Sequence, residues 1–213
     1  FVGAAEAGVS GEVVFEELVK RESLRWVRRR VLGCLKSEEG FKVGTRLAVK
    51  KIDLKYRSLG EMKEKELLTV IDNIFECKNL TDLNLSGNDF GESTEVCKRL
   101  ANGISNSNLK KLNLSNNLYL MLNLEGLKIL GEGIAKSKVS EFTFKQDCFS
   151  SPDKDFAAEI VFIQRLGNSE NLKLLTLNSN YNNRAIASLE DAGFARENET
   201  IWRKKSVWKQ WFD

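Results

Sequence analysis

The stretch of sequence that decides the fold is Leu80-Thr-Asp-Leu83-Asn-Leu85-Ser-Gly-Asn88-Asp-Phe90. It recurs almost unchanged 29 residues later as Leu109-Lys-Lys-Leu112-Asn-Leu114-Ser-Asn-Asn117-Leu-Tyr119. Both copies place leucine at the first, fourth and sixth positions and asparagine at the ninth. Apolar residues two apart predict a short strand with one buried face. An internal repeat of this length indicates stacked, similar units.

Weaker copies extend the repeat in both directions. Aligned on the first apolar position, the five copies are separated by 31, 29, 30 and 33 residues and begin at Val49, Leu80, Leu109, Val139 and Leu172. Between the strand motifs, two apolar residues lie four positions apart, and they precede the next motif by a nearly constant number of residues. Leu100 and Ile104 are such a pair before Leu109. This phase predicts a helix after each strand that packs back on the sheet.

The two central copies resemble the leucine-rich repeat, and the repeat length is similar to that of the ribonuclease-inhibitor-like subclass, whose members include ribonuclease inhibitor and tropomodulin. The resemblance implies an α/β fold, a right-handed solenoid with a parallel concave sheet and convex helices. Strands lie about 4.8 Å apart and helices about 10 Å apart, so the sheet occupies the inner side. We expect an N-terminal helical cap over residues 1–48, about five repeats over 49–196 and an aromatic C-terminal cap over 197–213.

The ninth position distinguishes regular from irregular turns. Asn88, Asn117 and Asn180 fit the repeat, since a buried amide can satisfy the backbone groups of a turn. Arg57 and Asp147 depart from it. The eleventh position of the fifth copy holds Asn182 instead of an apolar residue. We interpret the first and fifth turns as capping or irregular units, as is common for terminal repeats.

Composition narrows the class of function. The 213 residues contain no histidine, which removes the commonest general base and metal ligand and disfavours hydrolytic or acyl-transfer catalysis. The four cysteines are widely spaced, which indicates reduced, buried thiols in a cytosol-like compartment rather than a disulfide framework or a zinc site. We expect no catalytic residues, no metal and no cofactor. The chain begins with Phe1 rather than Met, so we interpret it as an excerpt or a processed product and leave an upstream signal open.

Side chains between the motif leucines are expected to point away from the core and to form a concave, partner-binding face. They are short, polar and of mixed charge. The third positions hold Lys51, Asp82, Lys111, Glu141 and Leu174; the fifth hold Asp53, Asn84, Asn113, Thr143 and Thr176; the seventh hold Lys55, Ser86, Ser115, Lys145 and Asn178. The alternative is a solvated inner surface, with binding done by loops or by the helices.

A basic helix is predicted over residues 12–36. Between residues 18 and 36, seven cationic residues stand against one Glu, a net charge of +6 in a chain whose total is +3. Apolar residues recur at helical spacing on its other face, so the helix can cap the first repeat while its cations face water. A membrane or nucleic acid is the alternative ligand for this basic patch, which consists of Arg21, Arg25, Arg28, Arg29 and Arg30.

The sequence therefore predicts a cytoplasmic, monomeric, non-catalytic module that binds an unidentified protein partner as an adaptor, scaffold or inhibitor. Two alternatives stay open. The basic helix could attach the chain to an anionic membrane or a nucleic acid. The chain could also regulate a small GTPase by supplying a catalytic arginine, for which Arg57 is the candidate.

Overall fold

The computed structural model describes residues 49–146, 157–177 and 183–205, without the side chains of 157–159 and 183–185. The predicted N-terminal cap lies outside the described residues. So do Asn180 and the last eight residues of the predicted C-terminal cap.

Short strands alternate with helices along the described chain. The order is β1 Lys51–Asp53, α1 Glu64–Phe75, β2 Asp82–Asn84, α2 Thr94–Ser105, β3 Lys111–Asn113, α3 Leu118–Leu122, α4 Leu124–Ala135, β4 Glu141–Phe144, α5 Ala157–Gly167, β5 Leu174–Leu177, α6 Asn183–Asp191, β6 Phe194–Arg196 and β7 Ile201–Lys204. A single 3₁₀ turn, Leu59–Glu61, joins β1 to α1. The short helix α3 was not predicted from the repeat.

The strands form one open, mostly parallel sheet. Their order is β1-β2-β3-β4-β5-β7-β6, and β1 to β5 are parallel neighbours in chain order. Equal motif positions pair directly, so the third-position residues form one row across the sheet: Lys51, Asp82, Lys111, Glu141 and Leu174. The predicted repeat alignment is thus the hydrogen-bonded register, and the α/β class is confirmed.

The core lies between this sheet and the helices. The fourth- and sixth-position residues are buried in all five copies, as Leu83 and Leu85 show at 2% and 1% exposure. From the helices, Leu100 and Ile104 are both fully buried against them. Removing such a side chain from water stabilises the fold by about 1.5–3 kcal/mol, so the repeated leucines supply much of the driving force.

Two buried asparagines close the turns that follow the second and third strands. Nδ2 of Asn117 lies 3.1, 2.9 and 3.1 Å from the carbonyl oxygens of Leu85, Leu114 and Ser115. Its Oδ1 accepts from the backbone N–H of Asn88 at 3.2 Å. Asn88 binds the preceding turn in the same way, and its Oδ1 accepts from the backbone N–H of Arg57 at 2.9 Å. The predicted role of the ninth-position amide is confirmed for these two residues.

The C-terminal end of the sheet departs from the repeat. The repeat spacing predicts a half-repeat over residues 199–205 that closes the sheet edge. A strand does form there, but β7 pairs antiparallel with β5, and β6 pairs with β7 on its other side and lies at the edge. The ammonium group of Lys204, at the position where the motif requires leucine, donates to the carbonyl oxygens of Gly167 and Ser169 at the end of α5. Trp202, 2% exposed, fills the core at this end.

Candidate partner-binding face

The sheet has one face covered by helices and one exposed, polar face. We define the polar face by the outward residues that are exposed or half-buried in the described chain: Lys51, Asp53, Lys55, Asp82, Asn84, Lys111, Asn113, Glu141, Thr143, Lys145 and Thr176. Because the register aligns equal motif positions, these side chains form three rows that run across the strands.

The third-position row alternates in charge. Nζ of Lys111 lies 2.8 Å from Oε2 of Glu141, and Lys51 and Asp82 continue the alternation toward β1. The hydrogen bond to Glu141 and its charge raise the pKa of Lys111; Asp82 adds to this effect, and Lys51 opposes it. Oδ2 of Asp82 also accepts a hydrogen bond from the hydroxyl of Thr81 at 2.6 Å. The row is therefore internally compensated and carries little net charge.

The fifth-position row combines structural bonds with remaining hydrogen-bond capacity. The side-chain Oδ1 atoms of Asp53, Asn84 and Asn113 accept from the backbone N–H groups two residues later, at 3.0, 3.1 and 3.0 Å. Such local bonds are the usual way that Asp and Asn shape a turn. The Nδ2 groups of the two asparagines take no part in these bonds, so each can donate to a partner. Thr143 and Thr176 continue the row, half-buried.

The prediction that all seventh-position side chains face a partner is wrong for two of them, which are buried. Ser86 and Ser115 are only 7% and 8% exposed. The hydroxyl of Ser86 donates to Oδ1 of Asn84 at 2.8 Å, and that of Ser115 accepts from the backbone N–H of Lys145 at 3.0 Å. These short side chains complete bonds within the sheet instead of facing a partner, and the chain direction changes at this position as the turn begins.

Other predicted site residues lie outside the described part of the chain. They are Asn178 and the basic patch Arg21, Arg25, Arg28, Arg29 and Arg30. Arg57, the candidate catalytic arginine, is half-buried, and its Nε is enclosed without a hydrogen-bond partner.

Sequence reasoning missed Tyr56, the most exposed large apolar residue among those described, at 64%. It occupies the eighth motif position, next to the polar face, with a left-handed backbone at φ 54°. The equivalent residues of the next two copies are Gly87 and Asn116, at φ 67° and 53°. Glycine and asparagine favour that conformation, whereas tyrosine does not. An aligned column reading Tyr, Gly, Asn was the signal that could have singled it out.

Candidate metal ligands and cysteines were the remaining chemical groups to place. No group of three or more His, Cys, Asp or Glu side chains within them could hold a metal ion. Cys77 and Cys97 are buried thiols, as predicted, and burial raises the pKa of Cys97 from 9.0 to about 12. A thiol so strongly held in its protonated form is a poor nucleophile. In the described part of the chain, no helix combines the length and apolar character that crossing a membrane requires.

The arrangement suits recognition: a broad surface of ordered hydrogen-bonding and charged side chains on a rigid sheet, with an aromatic residue at its border. Neither a scan against protein-family models nor a search of curated proteins finds a match to this chain.

Proposed function

We propose that this chain is a leucine-rich-repeat solenoid of the ribonuclease-inhibitor-like kind and acts as a non-catalytic protein–protein interaction module. The polar face binds the partner, and the chain serves as an adaptor, scaffold or inhibitor. The proposal includes a monomeric state and a cytoplasmic location.

The observation that carries the proposal is the polar face itself. Five parallel strands in exact motif register present aligned rows of outward side chains with no covering layer among the described residues. The fourth- and sixth-position residues, which face the core, are apolar in every copy, and the outward ones differ from copy to copy. This division is what a scaffold needs if it is to vary its surface without disturbing its core.

The experiment is an interaction assay with charge-reversed surfaces. The full chain is immobilised and its partners are recovered from cell extract and mapped by cross-linking. The test variant carries Lys111→Glu, Glu141→Lys and Lys145→Glu on the polar face. The matched control reverses the same number and kinds of charge on the helical side, at Lys98, Glu125 and Lys136, which are all exposed.

We expect the polar-face variant to lose partners that the wild type and the control retain, and cross-links to map to the polar face. Retention of every partner by the polar-face variant, with losses confined to the helical-side variant, would show that binding uses the other surface.

The charge of residues 18–36 supports a second proposal, that the basic patch attaches the chain to an anionic membrane or nucleic acid. A net charge of +6 in 19 residues predicts binding that weakens steeply with salt. Vesicles containing anionic lipid and a DNA duplex are titrated separately with the full chain at low and physiological salt. Equal retention by wild type and by a variant with the five patch arginines changed to Gln would exclude the patch as the binding element.

The small-GTPase alternative receives no support from the position of Arg57. Its backbone N–H is bound to Asn88, and its Nε is enclosed by protein. An arginine that enters another protein's active site needs an extended, accessible guanidinium.

A further inference from the structure

Tyr56 is an aromatic residue held rigidly at an exposed position. Its side chain is 64% exposed, so burial of the ring explains little of why it is there. Its backbone is left-handed, a conformation that strains a bulky residue. Strain that the surroundings maintain without a gain in core packing is a feature of functional sites.

Two neighbouring repeats hold the ring in place. The backbone N–H of Tyr56 donates to the carbonyl oxygen of Ser86 at 2.8 Å, which continues the sheet pairing beyond β1. The ring lies against Gly87, where an added Cβ would come within 2.2 Å of Cδ1 of Tyr56. The hydroxyl reaches the next repeat, 3.4 Å from Nδ2 of Asn116. The ring therefore crosses one whole repeat and is fixed at both ends.

The seventh-position row, which adjoins this ring, carries only positive charge. It has an exposed Lys55 at one end and a half-buried Lys145 at the other, with the neutral Ser86 and Ser115 between them. Lys111 in the third-position row is paired with Glu141. Two carboxylates of the first two repeats accept backbone N–H groups: Asp53 from Lys55, and Asp89 from Leu118 at 3.3 Å.

We propose that Tyr56 is a pre-positioned anchor at which the polar face binds an extended, acidic segment of the partner; this inference rests on the proposed function. Lys55 and Lys145 are three strands apart, about 14 Å at the usual strand spacing. An extended segment of about four to five residues spans that distance, with its acidic groups at the two lysines and its centre over the tyrosine ring. Rigid tyrosines lose little side-chain entropy on binding and recur in binding hot spots.

The competing explanation is that Tyr56 only fastens the first repeat to the second and third. The two explanations predict opposite results for Tyr56→Gly. Glycine adopts the left-handed backbone without strain, so the variant should fold with an unchanged or higher Tm if the ring is there for binding. A purely structural ring predicts a lower Tm.

The test is selection from a random heptapeptide display library on the full chain. We expect the selected peptides to be rich in Asp and Glu. They should bind Tyr56→Gly about tenfold or more weakly than wild type, and Lys55→Glu and Lys145→Glu should also bind them less well. Tyr56→Phe, which keeps the ring, should bind within about threefold of wild type. The matched control is Tyr119→Gly, which removes another exposed tyrosine, 43% exposed, on α3.

Selected peptides that are neutral or basic, acidic peptides that bind Tyr56→Gly as well as wild type, or a selection that yields no binder would each overturn the anchor. The proposed function fails separately, when reversal of Lys111, Glu141 and Lys145 leaves every recovered partner bound. If partners require those three residues but bind equally well without Tyr56, the polar face remains the proposed binding surface and the anchor proposal is wrong.

Discussion

The two halves of the sheet, called here the amide end and the aromatic end, are stabilised by different interactions. At β2 and β3, buried amides of Asn88 and Asn117 bind the backbone of their own turn and of the preceding one. At β4 and β5, an aromatic cluster fills the core: the rings of Phe142, Phe144 and Phe162 lie 5.1 to 6.0 Å apart. Beyond it, the antiparallel hairpin of β6 and β7 adds Phe194 and Trp202, both buried.

The comparison separates two kinds of constraint. A buried amide depends on directional hydrogen bonds, and some of the backbone groups it satisfies, such as the carbonyl oxygen of Leu114, have no other hydrogen-bond partner among the described residues. An aromatic cluster depends mainly on the volume of its side chains. Its contacts are non-directional, so a side chain of similar size can replace one ring. We therefore expect an apolar substitution of similar shape to destabilise the fold strongly at the amide end and only weakly at the aromatic end.

The largest effect is expected for Asn117→Leu. The substitution keeps the number of side-chain heavy atoms and removes four hydrogen bonds. The carbonyl oxygens of Leu85 and Ser115 keep bonds from Nδ2 of Asn88 and the backbone N–H of Gly87, whereas the carbonyl oxygen of Leu114 and the backbone N–H of Asn88 are left without a partner in the core. Each buried group left unsatisfied costs about 1–3 kcal/mol, so a loss of about 3–5 kcal/mol in the free energy of unfolding is expected. Urea denaturation measures it. The control Asn106→Leu, at an exposed position, should change stability by less than about 1 kcal/mol. Equal costs at the two sites would break the distinction.

The next effect concerns Cys97, which is buried behind the amide end, with Sγ 3.8 Å from the carbonyl oxygen of Gly91. Its pKa is raised from 9.0 to about 12 by burial, so the unfolded chain loses the thiol proton first. The stabilising contribution is complete below pH 9 and is lost as the pH rises from 9 toward 12. A difference of 1.36 kcal/mol per pKa unit predicts a loss of about 2 kcal/mol at pH 10.5.

Denaturation curves at pH 8 and pH 10.5 measure this loss, and Cys97→Ala serves as the reference that lacks the thiol. The difference between the two proteins isolates Cys97 from other groups that titrate at alkaline pH, including Lys204, whose pKa is lowered by burial and whose contribution to stability has the opposite pH dependence. Parallel pH profiles for wild type and Cys97→Ala would mean that the thiol is not protected in the folded state.

At the aromatic end, Phe144→Leu should cost less than Asn117→Leu. The replaced ring stacks on Phe142 at 5.9 Å and lies 5.1 Å from Phe162, and leucine recovers most of the lost volume. A cost of about 1–2 kcal/mol is expected, against about 3–5 kcal/mol for Phe144→Ala, which leaves a cavity. Thermal unfolding of the three proteins measures the series. If leucine proved as damaging as alanine, the cluster would depend on ring geometry and the contrast with the amide end would be lost.

The smallest effect is expected for Lys204→Met. Methionine keeps the aliphatic length and removes the ammonium group that caps α5 and lies 5.6 Å from the ring of Phe194. Charge at a helix end and a cation over a ring are each worth under about 1 kcal/mol at a half-exposed site, so a loss of about 1 kcal/mol is expected. The control Lys205→Met, at the exposed neighbour, should be neutral in the same denaturation assay. A stabilised Lys204→Met variant would show that burying the ammonium group costs more than its hydrogen bonds and ring contact contribute.

The repeat motif was enough to predict strand positions, their parallel register and the buried pairs on the helices, because these depend on local spacing and on which face is apolar. Leu83 and Leu85 on one strand face and Leu100 and Ile104 on the next helix are confirmed in this way. The antiparallel direction of β7 could not be read, since Ile201 and Trp202 are equally suited to either direction. The capping role of Lys204 depends on where α5 ends, which no local pattern specifies.

For the polar face, the alternation of apolar and polar residues along each strand identified which side chains point away from the core. The exposure of Lys51, Lys55 and Lys111 agrees with this prediction. The apolar–polar alternation could not predict the burial of Ser86 and Ser115, whose short hydroxyl side chains form hydrogen bonds within the sheet, to Asn84 and to Lys145. Nor could it find Tyr56, whose position follows from a glycine in the second repeat and an asparagine in the third.

By itself, the sequence determined the repeat, the α/β class and the division of each strand into an apolar and a polar face. Successive side chains of a strand point to opposite faces, so the order of apolar and polar residues specifies which face each one occupies. Only the tertiary structure decided which polar side chains stay accessible, how the last strands close the sheet and where the tyrosine ring is held. The tyrosine ring and the pairing of β5 with β7 depend on contacts between residues about 30 or more positions apart, which the local pattern of either partner does not specify.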